Sequence, residues 1–533
     1  MPLAHPAADV WTLLADIAEE TPAAPAFIHG ERTLTFAELL DCSARTAQGL
    51  ADLGVGPGDR VALWLPNVPA YPILYFACVR LGAIAVAVNT RYRAVEVADI
   101  VGRSGAKVLA CAPGFRRIDF LSILADIEPA ALDRLAAIIV VGDEPASVPP
   151  AIERLRRVPF DRLLSRPAHA ANHALASAPC NIFTTSGTTS APKFVLHRQG
   201  AIAGHAQQVA RVFGFTAPDT LSLAILPLCG VFGFNQTLAT LAAGKPSVLV
   251  DSYEIDEIAR LITRHKPTTM FGSDDMYARL LEVMPGRWPF RSIKWAGYGA
   301  FNASLEDLPE RAQPRGLRLV GLYGMSEVQA LYARQPLKAP MARRKLGGGL
   351  PTSPLGHVRV RDPETGELLG PGQPGALECA GPSLMVGYYG NEAATAQAMT
   401  ADGYVRTGDL AELDGRGGFT FLSRMGDVLR LSGFLVNPLE IETHIQKLPA
   451  IADCQTIAVP RPEGVRAVSF VILKPGATLD EADVIGHCKR GLANYKVPLR
   501  VFAVDDFPKT PSPNGFKIQR GKLREMAEDL LRT

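Results

Sequence analysis

Apolar residues recur at helical spacing over Asp9–Glu20. They do so more regularly over Phe36–Leu53, FAELLDCSARTAQGLADL, which closes at Gly54. A turn, GVGPGD, then leads into a short apolar run that predicts a strand over Val61–Leu65. A helix (Ala70–Leu81), a strand (Ala83–Val88), a helix (Ala94–Gly102) and strands at Lys107–Ala112 and Ala137–Val141 follow. This alternation is that of a mainly parallel sheet covered by helices. The GxGxG spacing of residues 54–58 matches a dinucleotide loop in letters only. It precedes a strand instead of opening a helix, and so predicts a turn.

Residues 143–178, rich in Pro, Ala and Arg and weakly periodic, read as a surface connection. Strands at Leu221–Leu226, Ser247–Val250 and Thr268–Phe271 then alternate with helices at Asn235–Ala243, Ile255–His265 and Asp274–Met284, a second α/β layer. From Leu346 the pattern changes to short alternating strands with many turn residues, as in a small β-barrel. Past Met425 a separate mixed pattern begins. The expected fold is α/β: a large N-terminal domain (1–425) of two α/β sheet layers plus a small β-barrel subdomain, and a small α+β C-terminal domain (426–533).

Composition narrows the function. The 533 residues are 47% hydrophobic, enough for several cores, and Lys+Arg 55 against Asp+Glu 53 leaves the chain near neutral. With no basic run, a nucleic-acid partner is not expected. The eight cysteines are scattered with no CxxC, which reads as reduced thiols of a cytoplasmic protein. The opening residues lack a basic n-region, and the most apolar run, Ile73–Val88, is interrupted by Arg80 and Gly82. Neither a secretory signal nor a membrane span is expected.

The chemistry concentrates in a few stretches. Between Phe183 and Phe194 lie Thr184, Thr185, Ser186, Gly187, Thr188, Thr189, Ser190 and then Lys193. Small hydroxyl residues in a tight turn offer converging N–H and O–H donors, and the lysine adds a positive charge, a combination suited to polyphosphate. A Ser/Thr/Gly linker has the same composition, but here strand-type residues flank the run on both sides. No GxxxxGK[ST] loop occurs. Strand-like Leu317–Leu322 ends in Tyr323-Gly324-Met325-Ser326-Glu327, an aromatic, a hydroxyl and a carboxylate where open α/β sheets bind nucleotides. It is not a GxSxG elbow, because Val328 takes the second glycine's place. Further stretches are Ala296–Phe301 after a strand at Ile293–Trp295, Tyr404–Leu410 (YVRTGDL), Ser423–Asp427 (SRMGD) and Thr510–Arg520 (TPSPNGFKIQR).

Taken in chain order over nearly the whole sequence, these stretches resemble the motifs of the adenylate-forming superfamily of acyl-CoA synthetases, adenylation domains and luciferases. TSGTTSAPKFV resembles its phosphate loop TSGTTGxPKGV, with Ser190 and Phe194 in place of glycines. The resemblance implies that Thr185, Ser186, Gly187, Thr188, Thr189 and Lys193 hold the phosphates of ATP. Tyr323 would stack on adenine, Ser326 meet phosphate and Glu327 hold Mg²⁺, with Gly324 and Met325 alongside. Gly299, Ala300 and Phe301 would touch adenine and substrate, Asp409 would bind both ribose hydroxyls, and Arg424 would contact ribose or phosphate. Thr188, Glu327 and Lys517 are the implied catalytic residues, Lys517 spreading charge off the transition state. Gly426 falls at the hinge of a mobile C-terminal domain, and Gly433 would line the CoA channel.

The acid would sit among Gly230, Val231, Phe232, Phe234, Tyr298, Gly299 and Gly324. The family's PLFH segment reads Pro227-Leu228-Cys229-Gly230 here, which favours a bulky apolar acid: medium-chain, alicyclic or aromatic. The implied enzyme is a carboxylate–CoA ligase using ATP, Mg²⁺ and CoA. An adenylating enzyme that loads a separate carrier protein, and a non-catalytic nucleotide-binding relative, remain open alternatives. So does the oligomeric state, a homodimer included.

Overall fold

The computed structural model describes residues 7–532 other than 144–148, 186–191, 302–304, 426–428, 432–433, 462–464, 493 and 513–514. The helices form where the periodicity places them, with identifiable starts. Asp9 caps Val10–Glu20, accepting from the Thr12 amide. Thr35 and Glu38 form a reciprocal capping box on Phe36–Asp52.

Two sheets carry the N-terminal part. One has eight strands in the order Gly387–Tyr388, Lys193–Arg198, Pro179–Thr185, Ile84–Ala87, Arg60–Trp64, Val108–Cys111, Ala137–Val140 and Arg156–Pro159. It is parallel from Pro179–Thr185 onward; the first two strands are added antiparallel. Its strands are buried on both faces, hence their unbroken apolar runs. Leu63, Ala85 and Ile139 face the main core, while Trp64, Val86 and Ile138 face a second one. The other large sheet runs parallel through Ser247–Leu249, Ser222–Ala224, Thr269–Ser273, Trp295–Gly299 and Leu319–Met325. The main core fills the space between the two sheets.

Past Leu319–Met325 the second sheet turns antiparallel. Gln329–Arg334, Gly348–Pro351, Phe419–Arg424, Val405–Leu413, Gly375–Ala380 and His357–Arg361 continue it. This region has its own core around Tyr332, Val360, Leu377 and Phe419. It is the β-rich part expected after Leu346, joined by hydrogen bonds to the large sheet's edge. Beyond 428, Ile451–Val459, Arg466–Leu473 and Arg500–Ala503 form a small sheet. The helices Pro438–Ile445 and Glu481–Gly491 cover one face and Arg520–Leu530 the other. Among the described residues, no strand after 428 pairs with one before 425.

Two stretches differ from the sequence expectation. The supposed surface connection contains a parallel edge strand, Arg156–Pro159, and a short helix, Phe160–Leu164. Arginines at 156 and 157 mask the strand pattern, as charged residues on sheet edges commonly do. The helix expected over Asn235–Ala243 spans Val231–Ala242. Its first turn lies so close to the preceding loop that a Cβ on Gly233 would be 2.5 Å from the Pro227 carbonyl oxygen.

Close approach also fixes Gly321 in the strand Leu319–Met325. A Cβ there would lie 1.9 Å from the Leu346 carbonyl oxygen, backbone that cannot rotate away. Gly321→Ala should therefore cost stability on the scale of an overpacked core, about 1–3 kcal/mol or more, read as a lower midpoint of thermal unfolding.

Candidate active site

The two strands that flank the phosphate-loop segment pair with each other. Pro179–Thr185 pairs with Lys193–Arg198 so that Thr185 faces Lys193. Its roots are tied down: Thr184 Oγ1 donates to the Ala87 carbonyl at 3.3 Å, and the Arg103 guanidinium donates to the Pro192 carbonyl at 2.8 and 3.1 Å. Phe194, which replaces a family glycine, is buried. It points into the core beneath the sheet, with the Arg103 guanidinium 4.2 Å from its ring centre. Strand alternation puts Phe194 and exposed Lys193 on opposite faces, so the extra ring does not enter the loop. Ser186, Gly187, Thr188, Thr189 and Ser190 lie outside the described residues.

Glu327 sits in a sharp reversal between Leu319–Met325 and Gln329–Arg334. Gln329 and Leu331 adopt left-handed backbone (φ 61 and 68), a conformation that costs a non-glycine residue free energy. A Cβ on Gly324 would be 2.6 Å from the Ala330 Cα, so the reversal also needs a glycine. Buried side chains hold it. His197 Nε2–H donates to the Ser326 carbonyl at 2.7 Å, His205 Nε2–H to the Ala330 carbonyl at 2.7 Å, and Asn235 to the same carbonyl at 3.0 Å. A carbonyl only accepts, so each imidazole carries its proton on Nε2. Burial holds both histidines at a pKa of about 4. The Glu327 carboxylate is 7% exposed and accepts from the Tyr388 hydroxyl at 2.8 Å. Among the described residues no cluster of three or more His, Cys, Asp or Glu exists that could hold a metal. One buried carboxylate fits Mg²⁺ that arrives on nucleotide phosphates, since that ion keeps most of its water and takes few protein ligands.

Tyr323 and Asp409 meet inside the antiparallel region. The Tyr323 hydroxyl donates to Asp409 Oδ2 at 2.5 Å, and Arg424 lies 2.9 Å from Oδ1. Asp409 is 2% exposed and opposite Arg424 in the strand register. Burial, and secondarily the Asp409 charge, push the Tyr323 phenol's pKa far up, so it stays a proton donor. Phe419 meets the Tyr323 ring edge-on, at 4.9 Å between centres.

Gly299 ends the strand Trp295–Gly299, Ala300 follows, and the Phe301 amide donates to the buried Asp274 carboxylate at 2.6 Å. Phe301 itself is 63% exposed. Tyr298 is buried with its hydroxyl donating to the Lys345 carbonyl. Gly230 is the N-cap of Val231–Ala242, and half-buried Cys229 lines a cleft with Asn89, Arg91, Ile225, Tyr253 and Met276. Phe232 packs against Phe271 at 6.2 Å. Phe234 points to the other side of the helix, edge-on to Tyr75 and Phe183 at 5.0 and 5.3 Å. Two residues apart on a helix are about 200° apart. Phe232 and Phe234 therefore leave the helix in different directions.

Lys517 falls in the strand Gly515–Ile518, opposite Thr510. The following Arg520 donates to the fully buried Glu442 at 3.0 Å and to Gln455 at 3.0 Å, anchoring the end of this hairpin in the C-terminal core. Gly426 and Gly433 lie outside the described residues. Sequence reading did not single out Tyr388, His197, His205, Asn235 or Asp274. The contacts of each depend on a partner far away in the sequence, 27 to 129 residues off.

The sequence profile of the family described as AMP-binding enzyme matches residues 14–389, and that of its C-terminal domain matches 440–513. The chain belongs to this family. A 3-[(3aS,4S,7aS)-7a-methyl-1,5-dioxo-octahydro-1H-inden-4-yl]propanoyl:CoA ligase from Mycobacterium tuberculosis is 32% identical over 96% of this chain and 97% of its own. A feruloyl-CoA synthase from an Amycolatopsis species is 30% identical over 95% and 96%. The crystal structure of ATP-bound MatB from Rhodopseudomonas palustris superposes with a TM-score of 0.84 at 26% identity, covering 98% of this chain and 99% of that one. The protein is an AMP-forming acid–thiol ligase of the acyl-CoA synthetase type, with ATP, Mg²⁺ and CoA as its cofactor and co-substrates. No described helix is long and apolar enough to cross a membrane.

The buried histidines predict a pH response. Both stay neutral in the fold but bind protons near pH 6.5 when unfolded, so the unfolded state takes up more protons between about pH 6.5 and 4. Stability should be unaffected by these groups above pH 6.5. It should fall as pH drops toward 4, by up to the order of 3 kcal/mol per histidine. Thermal midpoints measured across this range for wild type and His205→Gln should show a shallower acid slope in the variant.

Proposed function

We propose that this ligase activates a bulky apolar acid carrying a ring, alicyclic or aromatic, and passes it to free CoA. The observation that carries this reading is Cys229 in the wall of the cleft, followed by Gly230 at the start of the Phe232 helix, where side-chain bulk is small. Ile225, Tyr253 and Met276 in the same wall offer apolar surface that suits a ring better than a short chain. Relatives named for an indanedione propanoate and for ferulate support it.

In the first half-reaction the acid's carboxylate attacks the α-phosphorus of ATP and pyrophosphate leaves. Bound with ATP, Mg²⁺ would neutralise phosphate charge there. The hairpin of Thr185 and Lys193, with residues 186–189, would cradle the phosphates. Glu327 would receive the metal, and Tyr323 would hold Asp409 to accept the ribose hydroxyls. Lys517 would bridge carboxylate and α-phosphate as charge develops. In the second half-reaction the residues from 426 onward would turn as a unit about Gly426, withdraw Lys517, and bring Gly433 to the pantetheine channel. The CoA thiol then attacks the acyl-adenylate and AMP leaves, so no protein nucleophile is required.

Lys517→Ala should slow acyl-adenylate formation by roughly a hundredfold, the scale of losing one strong transition-state donor. Thioester formation from supplied acyl-adenylate should change little; equal losses in both half-reactions would remove Lys517 from this role. The acid is tested with a panel of aliphatic, alicyclic and aromatic acids assayed for CoA-dependent AMP release. Ring acids should be preferred over acetate, and Gly230→His should raise KM for the best ring acid by about tenfold while relatively favouring short acids, the scale of a one-methylene misfit. Acetate used as efficiently as every larger acid would refute the size reading, and release of AMP only with a carrier protein would refute CoA as acceptor.

A further inference from the structure

The segment 385–389 ties the two halves of the phosphate site together. The Met385 amide donates to the Glu327 carbonyl at 2.8 Å, and the Val386 and Tyr389 amides donate to the Leu196 and Phe194 carbonyls at 2.8 Å each. Tyr388 lies between them, paired with Val195 in the strand register and 7% exposed. Its backbone amide is held by Thr395 Oγ1 at 2.9 Å. Its hydroxyl donates to Glu327 Oε1 at 2.8 Å, while Lys193 Nζ stands 4.7 Å from the centre of its ring. Among the described residues no ion pair joins Lys193 to Glu327.

We propose that Tyr388 is a positioning residue for the adenylation step: its hydroxyl fixes the Glu327 carboxylate, and its ring holds Lys193 apart from that carboxylate. The inference rests on the roles given above to Glu327 and Lys193. A lysine and a glutamate at the edge of one phosphate site attract each other when the nucleotide is absent, and their collapse would close the site to it. The ring face offers the ammonium an alternative partner that keeps it extended. The hydroxyl occupies one carboxylate oxygen and leaves the other for the metal. A donor behind a metal carboxylate characteristically changes metal affinity by ten- to a hundredfold.

The test measures ATP binding calorimetrically with Mg²⁺ and with EDTA, alongside thioester formation from supplied acyl-adenylate. Tyr388→Phe keeps the ring and removes the hydroxyl. It should weaken binding of Mg·ATP about tenfold, leave metal-free ATP unchanged and spare the thioester step. Tyr388→Leu should weaken metal-free ATP as well, because Lys193 is released toward Glu327. Wild-type Mg²⁺ dependence in Tyr388→Phe, or equal weakening with and without the metal, overturns the role of the hydroxyl; identical behaviour of Phe and Leu variants overturns that of the ring. Glu327→Gln separates the layers. If it retains full Mg²⁺ dependence, the metal role of Glu327 fails and this proposal with it. If it loses that dependence while Tyr388→Phe does not, only the proposal fails.

Discussion

The chain reversal between Met325 and Leu331 is the constraint on which the rest of the site depends. It sets Glu327 at the end of a parallel strand and sends the next strand back antiparallel, beginning the β-rich region that carries Asp409 and Arg424. Two left-handed non-glycine residues make the turn unfavourable by itself, on the order of 1–3 kcal/mol each. Hydrogen bonds from His197, His205 and Asn235 offset that cost. These donors come from the phosphate hairpin and from the two helices Gln199–Val212 and Val231–Ala242. The turn, the strand Lys193–Arg198 and the two helices are therefore fixed as one body.

In both large sheets residues proposed for the site stand at strand ends. Thr185, Gly299 and Met325 are each the last residue of one, where open α/β sheets present side chains to a ligand. The strands behind them are buried on both faces and rigid. Among the described residues Arg424 also forms an ion pair with the buried Asp409 carboxylate.

The departures from the family pattern have different consequences. Phe194 is absorbed by the core beneath the sheet and stacked under Arg103, so a glycine-to-phenylalanine change in the motif leaves the face that carries Lys193 clear. Cys229 and Gly230 are not absorbed in this way. Cys229 lines the cleft and Gly230 caps the helix Val231–Ala242 beside it.

The sequence by itself determined the elements and the reaction class. Helical and strand periodicity act over a few residues, and the glycine- and hydroxyl-rich stretches carry their chemistry within a single turn, so both are legible locally. The edge strand Arg156–Pro159 escaped because its apolar alternation is reduced to one buried valine between arginines and a proline. Tertiary structure alone decided which polar residues pair across the chain. Tyr388 meets Glu327 across 61 residues, Tyr323 meets Asp409 across 86, and His197 meets the Ser326 carbonyl across 129. It also decided that Phe232 and Phe234 face opposite sides of one helix. Such contacts depend on how buried polar groups find partners once helices and sheets have packed, a condition on the whole fold that no window of sequence contains.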